Sequence, residues 1–337
     1  DMDILGLNAS AEQVRTDLVP LCEQLYAAQA KRIGVDTLMF YDEKRVFPDG
    51  NAVPAGDDDF MVEEARKMYH KISPETGEFI DFMIEHELMD LKNKPGKAAT
   101  GYMTFLPDYR APFVFSNFNQ TIFDMQVLTH EGHAFAGYMA MREQPITEYY
   151  SESTDIAEIH SMSMEQFSYP YAEAFFGKYA DKFRFAHLQE AITFVPFGVA
   201  VDEFQHICYA NPELTPKERT AEWKKLEEKY MPWRKYDADD FFDRGGFWYH
   251  KLHIYLYPFY YINYTLTTMG AMEFKKKNYE NHETAWQDYL NLCKCGGSMS
   301  YLETLRYANL SNPFEPGSVA RAMEVAKQEL MNSPFMR

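Results

Sequence analysis

The sequence predicts a mainly α protein that carries one small β-sheet. Three observations predict it. Helix-start signatures recur along the chain, and strand-like alternation is confined to two neighbouring segments. Hydrophobic residues make up 46% of the chain and aromatics 16%, which is enough for a large core and argues against disorder.

Taken in order, the first helix is expected to run from Ser10, which forms a capping-box pair with Gln13, to about Ile33. Tyr41 to Asp59 is rich in Pro, Gly and Asp and reads as loop. At Ser73 a second start places Pro74 at the first helical position. "TGYMTF" (Thr100 to Phe105) and "APFVFSNF" (Ala111 to Phe118), joined by the turn-like "LPDYR", read as a hairpin. A helix then starts at Thr121, with Asp124 three residues on, and Ser153 or Thr154 caps the next. "TPKER" at Thr215 is a further capping box, closed by Glu218, and a last helix follows Ser318. There is no internal repeat and no low-complexity tract, so residues 1–337 read as one domain.

Composition narrows the function classes. A formal net charge of -18 argues against a nucleic-acid groove, which needs a basic stripe. Four cysteines without framework spacing point to a reducing compartment, and a cytoplasmic location is expected. Cys293 and Cys295 are one residue short of C-x-x-C and read as structural. The longest apolar run, Phe194 to Val201, falls well below the ~20 residues of a membrane span. No N-terminal apolar targeting segment is present. The chain opens on Asp1 without an initiator Met, which reads as a processed or truncated terminus.

The chemistry concentrates in "LTHEGHAF" (Leu128 to Phe135). Its residue types are those of the zinc-peptidase helix motif H-E-x-x-H, but His130 and His133 stand one residue too close. In the full motif the second His lies about 40° round the helix from the first and the Glu about 100° round. In a continuous helix with the interval as written, His133 falls about 60° the other way and Glu131 points roughly 160° from it. Two histidines could still share a metal, but Glu131 would be badly placed as its neighbour. Downstream, Glu158 and Glu165 are seven residues apart on one face of the helix expected after Ser153. A third ligand and an orienting carboxylate are what a zinc site requires, although charge patterning alone reads Glu158 as a solvated helix residue.

A second concentration lies in "GFWYHKLHIYLYPFYYINYTL", which is dense in aromatic rings. The structural reading is a buried aromatic helix. With Pro258 near a helix start, Tyr261 and Tyr264 become neighbours on one face, and His253 and Tyr257 lie on the segment leading in. Phenol and imidazole donors can also stabilise an oxyanion. Gly245, Gly246, Gly296 and Gly297 read as turn residues needing positive φ, and a hinge is the functional alternative. His70, His86, His160, His187, His206, His250 and His282 have no partner spacing and read as structural.

The stretches "PFVFSNFNQTIFDMQVLTHEGHAF", "DIAEIHSMSME", "VDEFQHICY", "HIYLYPFYYINY" and "LCKCGGSMSYLETL" resemble the M3 family of zinc metallopeptidases, the oligoendopeptidase F and thimet oligopeptidase group. The resemblance runs through nearly all 337 residues. It implies a zincin-type helical catalytic domain with a small β-sheet and a deep substrate channel. The family's ligands are the two His of H-E-x-G-H and a Glu 25 residues after the second, which here are His130, His133 and Glu158. The family's further Glu, seven beyond, is Glu165, and one Zn2+ per chain follows. The irregularity is confined to the missing residue between Glu131 and Gly132, either unwritten in the sequence or truly deleted.

By the same resemblance Glu131 is the general base, and Tyr257, Tyr261, Tyr264 and His253 hold the oxyanion and the peptide. His253 is carried over less firmly, because branches differ by one residue there. The implied activity is endopeptidase hydrolysis of short oligopeptides by metal-activated water. If the deletion is genuine, the alternative is a non-catalytic pseudo-peptidase that binds peptides. The family's usual N-terminal helical region is not matched, so the chain reads as a catalytic fragment.

Overall fold

The computed structural model describes residues 4–238 and 240–337. The chain opens with α1 (Ile4–Gln13) and α2 (Val19–Ile33), joined through a π-turn at Val14–Leu18. Pro20 accounts for the turn, since its nitrogen has no proton to continue the helical ladder. The helix therefore starts six residues before Ser10, which is a buried interior residue and not a cap. Beyond the loop come α3 (Asp58–Ile72) and α4 (Pro74–Glu85). Ser73 caps α4, with Pro74 in the first turn, as expected.

The strands are β1 (Met89–Lys92), β2 (Tyr102–Leu106) and β3 (Ala111–Phe118), in the order β1-β3-β2. The expected hairpin is β2 and β3, antiparallel with Tyr102 opposite Phe115. β1 adds to the other edge of β3 in parallel, Met89 opposite Val114, and was not anticipated. Next follow α5 (Ile122–His130), α6 (Gly132–Glu143), α7 (Thr154–Ser168), α8 (Ala172–Phe176) and α9 (Ala180–Ala210). The rest are α10 (Pro216–Tyr230), α11 (Leu252–Leu256), α12 (Ile262–Glu280), α13 (His282–Cys295), α14 (Tyr301–Tyr307) and α15 (Ser318–Asn332). Unlike the box expected at Ser10, the one at Thr215 appears where the sequence places it, its backbone N–H donating to Glu218 at 2.8 Å. No helix among the described residues is long and apolar enough to cross a membrane.

These elements form two compact units. One comprises Ala52–Arg184 and Gly270–Asn312, and holds the sheet with α3 to α8, α13 and α14. Its core is aromatic, with Phe79 and Phe135 in edge contact at 5.5 Å and Phe135 stacked on Tyr289 at 6.4 Å. The other comprises the described residues up to Asn51, Phe185–Met269 and Pro313–Arg337. In it the first turns of α12 lie close against α9, because a Cβ on Gly198 would fall 2.1 Å from the Thr265 hydroxyl.

Candidate metal centre and tyrosine cluster

α5 ends at His130 and α6 begins at Gly132, so the helix is not continuous through the motif. Glu131 has φ -66° and ψ 11°, about 50° from the helical ψ. The ladder is kept on both sides, since the Glu131 N–H donates to Val127 at 3.1 Å and the Phe135 N–H donates to Glu131 at 2.9 Å. The displaced ψ changes the bearing of α6 from that of a regular helix running on from α5. His130 Nε2 and His133 Nε2 both lie 3.1 Å from the same oxygen of Glu158, Oε2.

Three local features hold this arrangement. The Tyr69 phenol donates to the Leu128 carbonyl at 2.7 Å, fixing the end of α5 from α3. The Tyr289 phenol donates to the His160 carbonyl at 2.7 Å, fixing α7 from α13. Gly132 lets α6 approach α7, because a Cβ there would sit 2.4 Å from that same His160 carbonyl oxygen.

Among the described residues, His130, His133 and Glu158 form the group whose donor atoms all lie within 4.8 Å of one another. Bonds of 2.0–2.1 Å in a tetrahedron separate donors by about 3.3 Å, close to the two 3.1 Å distances here. Two imidazoles and a carboxylate are also a known catalytic zinc donor set. The residues present thus fit the metal.

Electrostatics follow from that crowding. Burial would lower the His130 ring, but Glu158 and then Glu165 hold it well above the ordinary histidine value. Burial opposes His133 likewise, yet Glu158 and Glu152 raise it to about 9. Glu158 is pulled well below the carboxylate range by the two histidines, against its burial. Glu131 goes the other way, pushed up by burial to about 7 despite the charges of His130 and His133. It stands outside the donor group and is buried at 9% exposure. Glu165 Oε1 lies 2.6 Å from His130 Nδ1, the nitrogen turned away from the donors.

Sequence reasoning missed Glu152 and set His160 aside. Glu152 Oε1 lies 3.8 Å from His133 Nδ1 and 3.6 Å from His160 Nδ1, at ion-pair distance in the interior. The loop ahead of Glu152 is packed through Gly296, whose φ is 50° and whose Cβ would meet the Tyr149 carbonyl at 2.0 Å. Gly245 also has positive φ, whereas Gly246 and Gly297 do not.

The aromatic segment belongs to the other unit. His253, on α11, is ringed by tyrosines, with Tyr261 at 5.1 Å, Tyr264 at 6.0 Å and Tyr257 at 6.3 Å between ring centres. Tyr261 and Tyr264 are themselves 5.5 Å apart. Pro258 is not near a helix start, since α12 begins four residues later at Ile262. Tyr260 joins the cluster unforeseen, its ring 5.3 Å from Tyr264. Tyr261 is buried, its phenol pushed up by burial, while Tyr257 is 60% exposed.

A helical fold with a small sheet and a His-His-Glu donor set defines the metallopeptidase class. The chain belongs to peptidase family M3, whose family model matches residues 10–324. It is similar to a structure described as an oligoendopeptidase F, at 48% identity and TM-score 0.95, covering 100% of this chain and 60% of that one. It is equally similar to Pz peptidase A with an inhibitor, at 47% identity, TM-score 0.95 and the same coverage. Oligoendopeptidase F from Enterococcus faecium shares the fold at 18% identity and TM-score 0.63, over 98% of this chain and 52% of that one. The chain thus spans about three fifths of the length of the first two of these structures. No curated protein sequence matches it.

Proposed function

We propose that the chain is the catalytic part of a zinc-dependent endopeptidase acting on short oligopeptides. The observation that carries this reading is the convergence of His130, His133 and Glu158, with Glu131 buried alongside. Zinc, when bound, supplies Lewis-acid polarisation of the scissile carbonyl and a more acidic water.

The chain's own residues do the remainder. Glu131 accepts the proton of the attacking water and delivers it to the leaving amine, a task suited to a carboxyl raised to about 7. Glu165 fixes the His130 ring through Nδ1 and so turns Nε2 toward the donor group. Family resemblance supports donation by Tyr257, Tyr261, Tyr264 and His253 to the developing oxyanion and the peptide backbone.

A second reading, a peptide-binding pseudo-peptidase, draws on the helix break at Glu131 and the short interval. The two part on Glu131→Gln, which keeps size and polarity but cannot take a proton. It should retain zinc and lose about 10² to 10⁴ in turnover. Glu158→Gln should instead weaken zinc binding. Full zinc and full activity in both variants would sink the peptidase mechanism, and inactivity of the zinc-loaded parent chain would favour the binder.

A further inference from the structure

"VDEFQHICY" (Val201–Tyr209), in α9, carries part of the family resemblance and has no task in the mechanism above. Its partner is the turn ahead of α12. The Tyr260 N–H donates to the Tyr257 carbonyl at 3.1 Å, and Pro258 and Phe259 lie between them. Proline fixes a negative φ, and Phe259 has φ 60°, so the four residues make a type II turn. The third position of that turn ordinarily takes Gly or Asn, because a side chain is strained there. Here it is a phenylalanine, so something outside the turn must hold it.

The Phe259 N–H takes no part in the turn's own hydrogen bond, and it donates to Gln205 Oε1 at 2.8 Å. Gln205 is 1% exposed, and its Nε2 donates to the Val201 carbonyl at 3.3 Å, which orients the amide with its oxygen toward Phe259. The His206 and Tyr209 rings lie 4.8 and 4.9 Å from the Phe259 ring. One turn of α9 therefore grips both the backbone and the side chain of the strained residue. Tyr257, Tyr260 and Tyr261 are either in the turn or next to it.

We propose that Gln205, supported by His206 and Tyr209, is a positioning residue that holds the Tyr257–Tyr260 turn in its strained form and so sets the aim of the tyrosine cluster. This rests on the reading that the cluster acts on the peptide. A turn released from Gln205 relaxes Phe259 toward negative φ and swings the flanking rings away from His253.

The test replaces Gln205 by Met, which keeps the length and removes the acceptor, in the zinc-loaded chain. Amide exchange at Phe259 should quicken by at least about tenfold. Turnover of a fluorogenic peptide should fall about 10- to 100-fold with KM nearly constant and zinc content unchanged. Phe259→Gly in the same background removes the strain and should recover most of the kcat. Tyr209→Leu, at a side chain 59% exposed and therefore safe for folding, should give a smaller change in the same direction. Unchanged Phe259 exchange in both Gln205→Met and Tyr209→Leu overturns the proposal. Faster exchange with unchanged kcat also overturns it. If Tyr261→Phe and Tyr264→Phe then lose kcat, the positioning role alone falls, and if they too keep it, the tyrosine reading falls as well.

Discussion

Gly132→Ala tests whether the close approach of α6 to α7 is what assembles the metal centre. A Cβ at 132 would lie 2.4 Å from the His160 carbonyl oxygen, 2.8 Å from its carbon and 2.9 Å from Met164 Cβ, where ordinary contact begins at 3.4 Å. Relief requires a separation of about 1 Å, and α7 cannot yield freely because the Tyr289 phenol holds the same carbonyl at 2.7 Å. Overpacking of this kind costs about 1 to 3 kcal/mol, and two backbone atoms in the clash place the cost toward the upper end. Glu158 lies two residues from His160, so the shift carries its oxygen away from both histidines. Metal sites tolerate only about 0.2 Å of displacement, and a loss of about 10- to 100-fold in zinc affinity follows. Denaturant unfolding of the metal-free protein and competition with a chromophoric chelator measure the two effects. Gly101→Ala is the control, since its Cβ meets nothing closer than 3.6 Å. If Gly132→Ala matched that control in both stability and affinity, the close-approach argument would be refuted.

Zinc binding should release about two protons per chain near pH 7.5, because His130 and His133 are held protonated by their carboxylates, and fewer as pH passes about 9. Calorimetry in buffers of different ionisation enthalpy reads that number, and release near zero at pH 7.5 would contradict the pairing. Inserting Ala between Glu131 and Gly132 restores the H-E-x-G-H interval and should rejoin α5 with α6. Turnover should rise by at least about tenfold if the break misplaces the base, and an unchanged rate would mean that the broken helix already places it. Arg234→Met leaves Glu43, which it grips at 2.9 and 2.7 Å in the interior, without its partner. A loss of about 3 to 5 kcal/mol is expected, with much of it recovered when Glu43→Leu is added. Tyr261→Phe and Tyr264→Phe should each cost about 10² to 10³ in kcat with little change in melting temperature, whereas core tyrosines would show the reverse.

Features whose cause lies within a few residues were legible in the sequence. The starts at Ser73, Thr121 and Thr215 rest on hydrogen bonds spanning two or three residues, so their spacing alone announces them. The hairpin declared itself through alternation and a turn between its strands. The metal donors needed the family resemblance, because Glu158 lies 25 positions after His133, across loop and helix, and no periodicity connects them.

The remainder depended on what packs against what. Ser10 has the residue type of a cap, yet the helix runs back to Ile4 and leaves Ser10 buried in its interior. β1 is four residues long, too short to show a pattern, and it exists as a strand because the free edge of β3 pairs with it. Glu152 meets His133 and His160 only after α6 and α7 are docked. At Glu131 periodicity assumes an unbroken helix, which leaves His133 about 60° from His130 and turns Glu131 roughly 160° from His133. The folded chain departs from that helix by one ψ angle, and both histidines then meet Glu158. Residue spacing encodes local geometry because local hydrogen bonds repeat along the chain. A contact between distant segments has no such repeat, and the side chains that close it become neighbours only in the folded state.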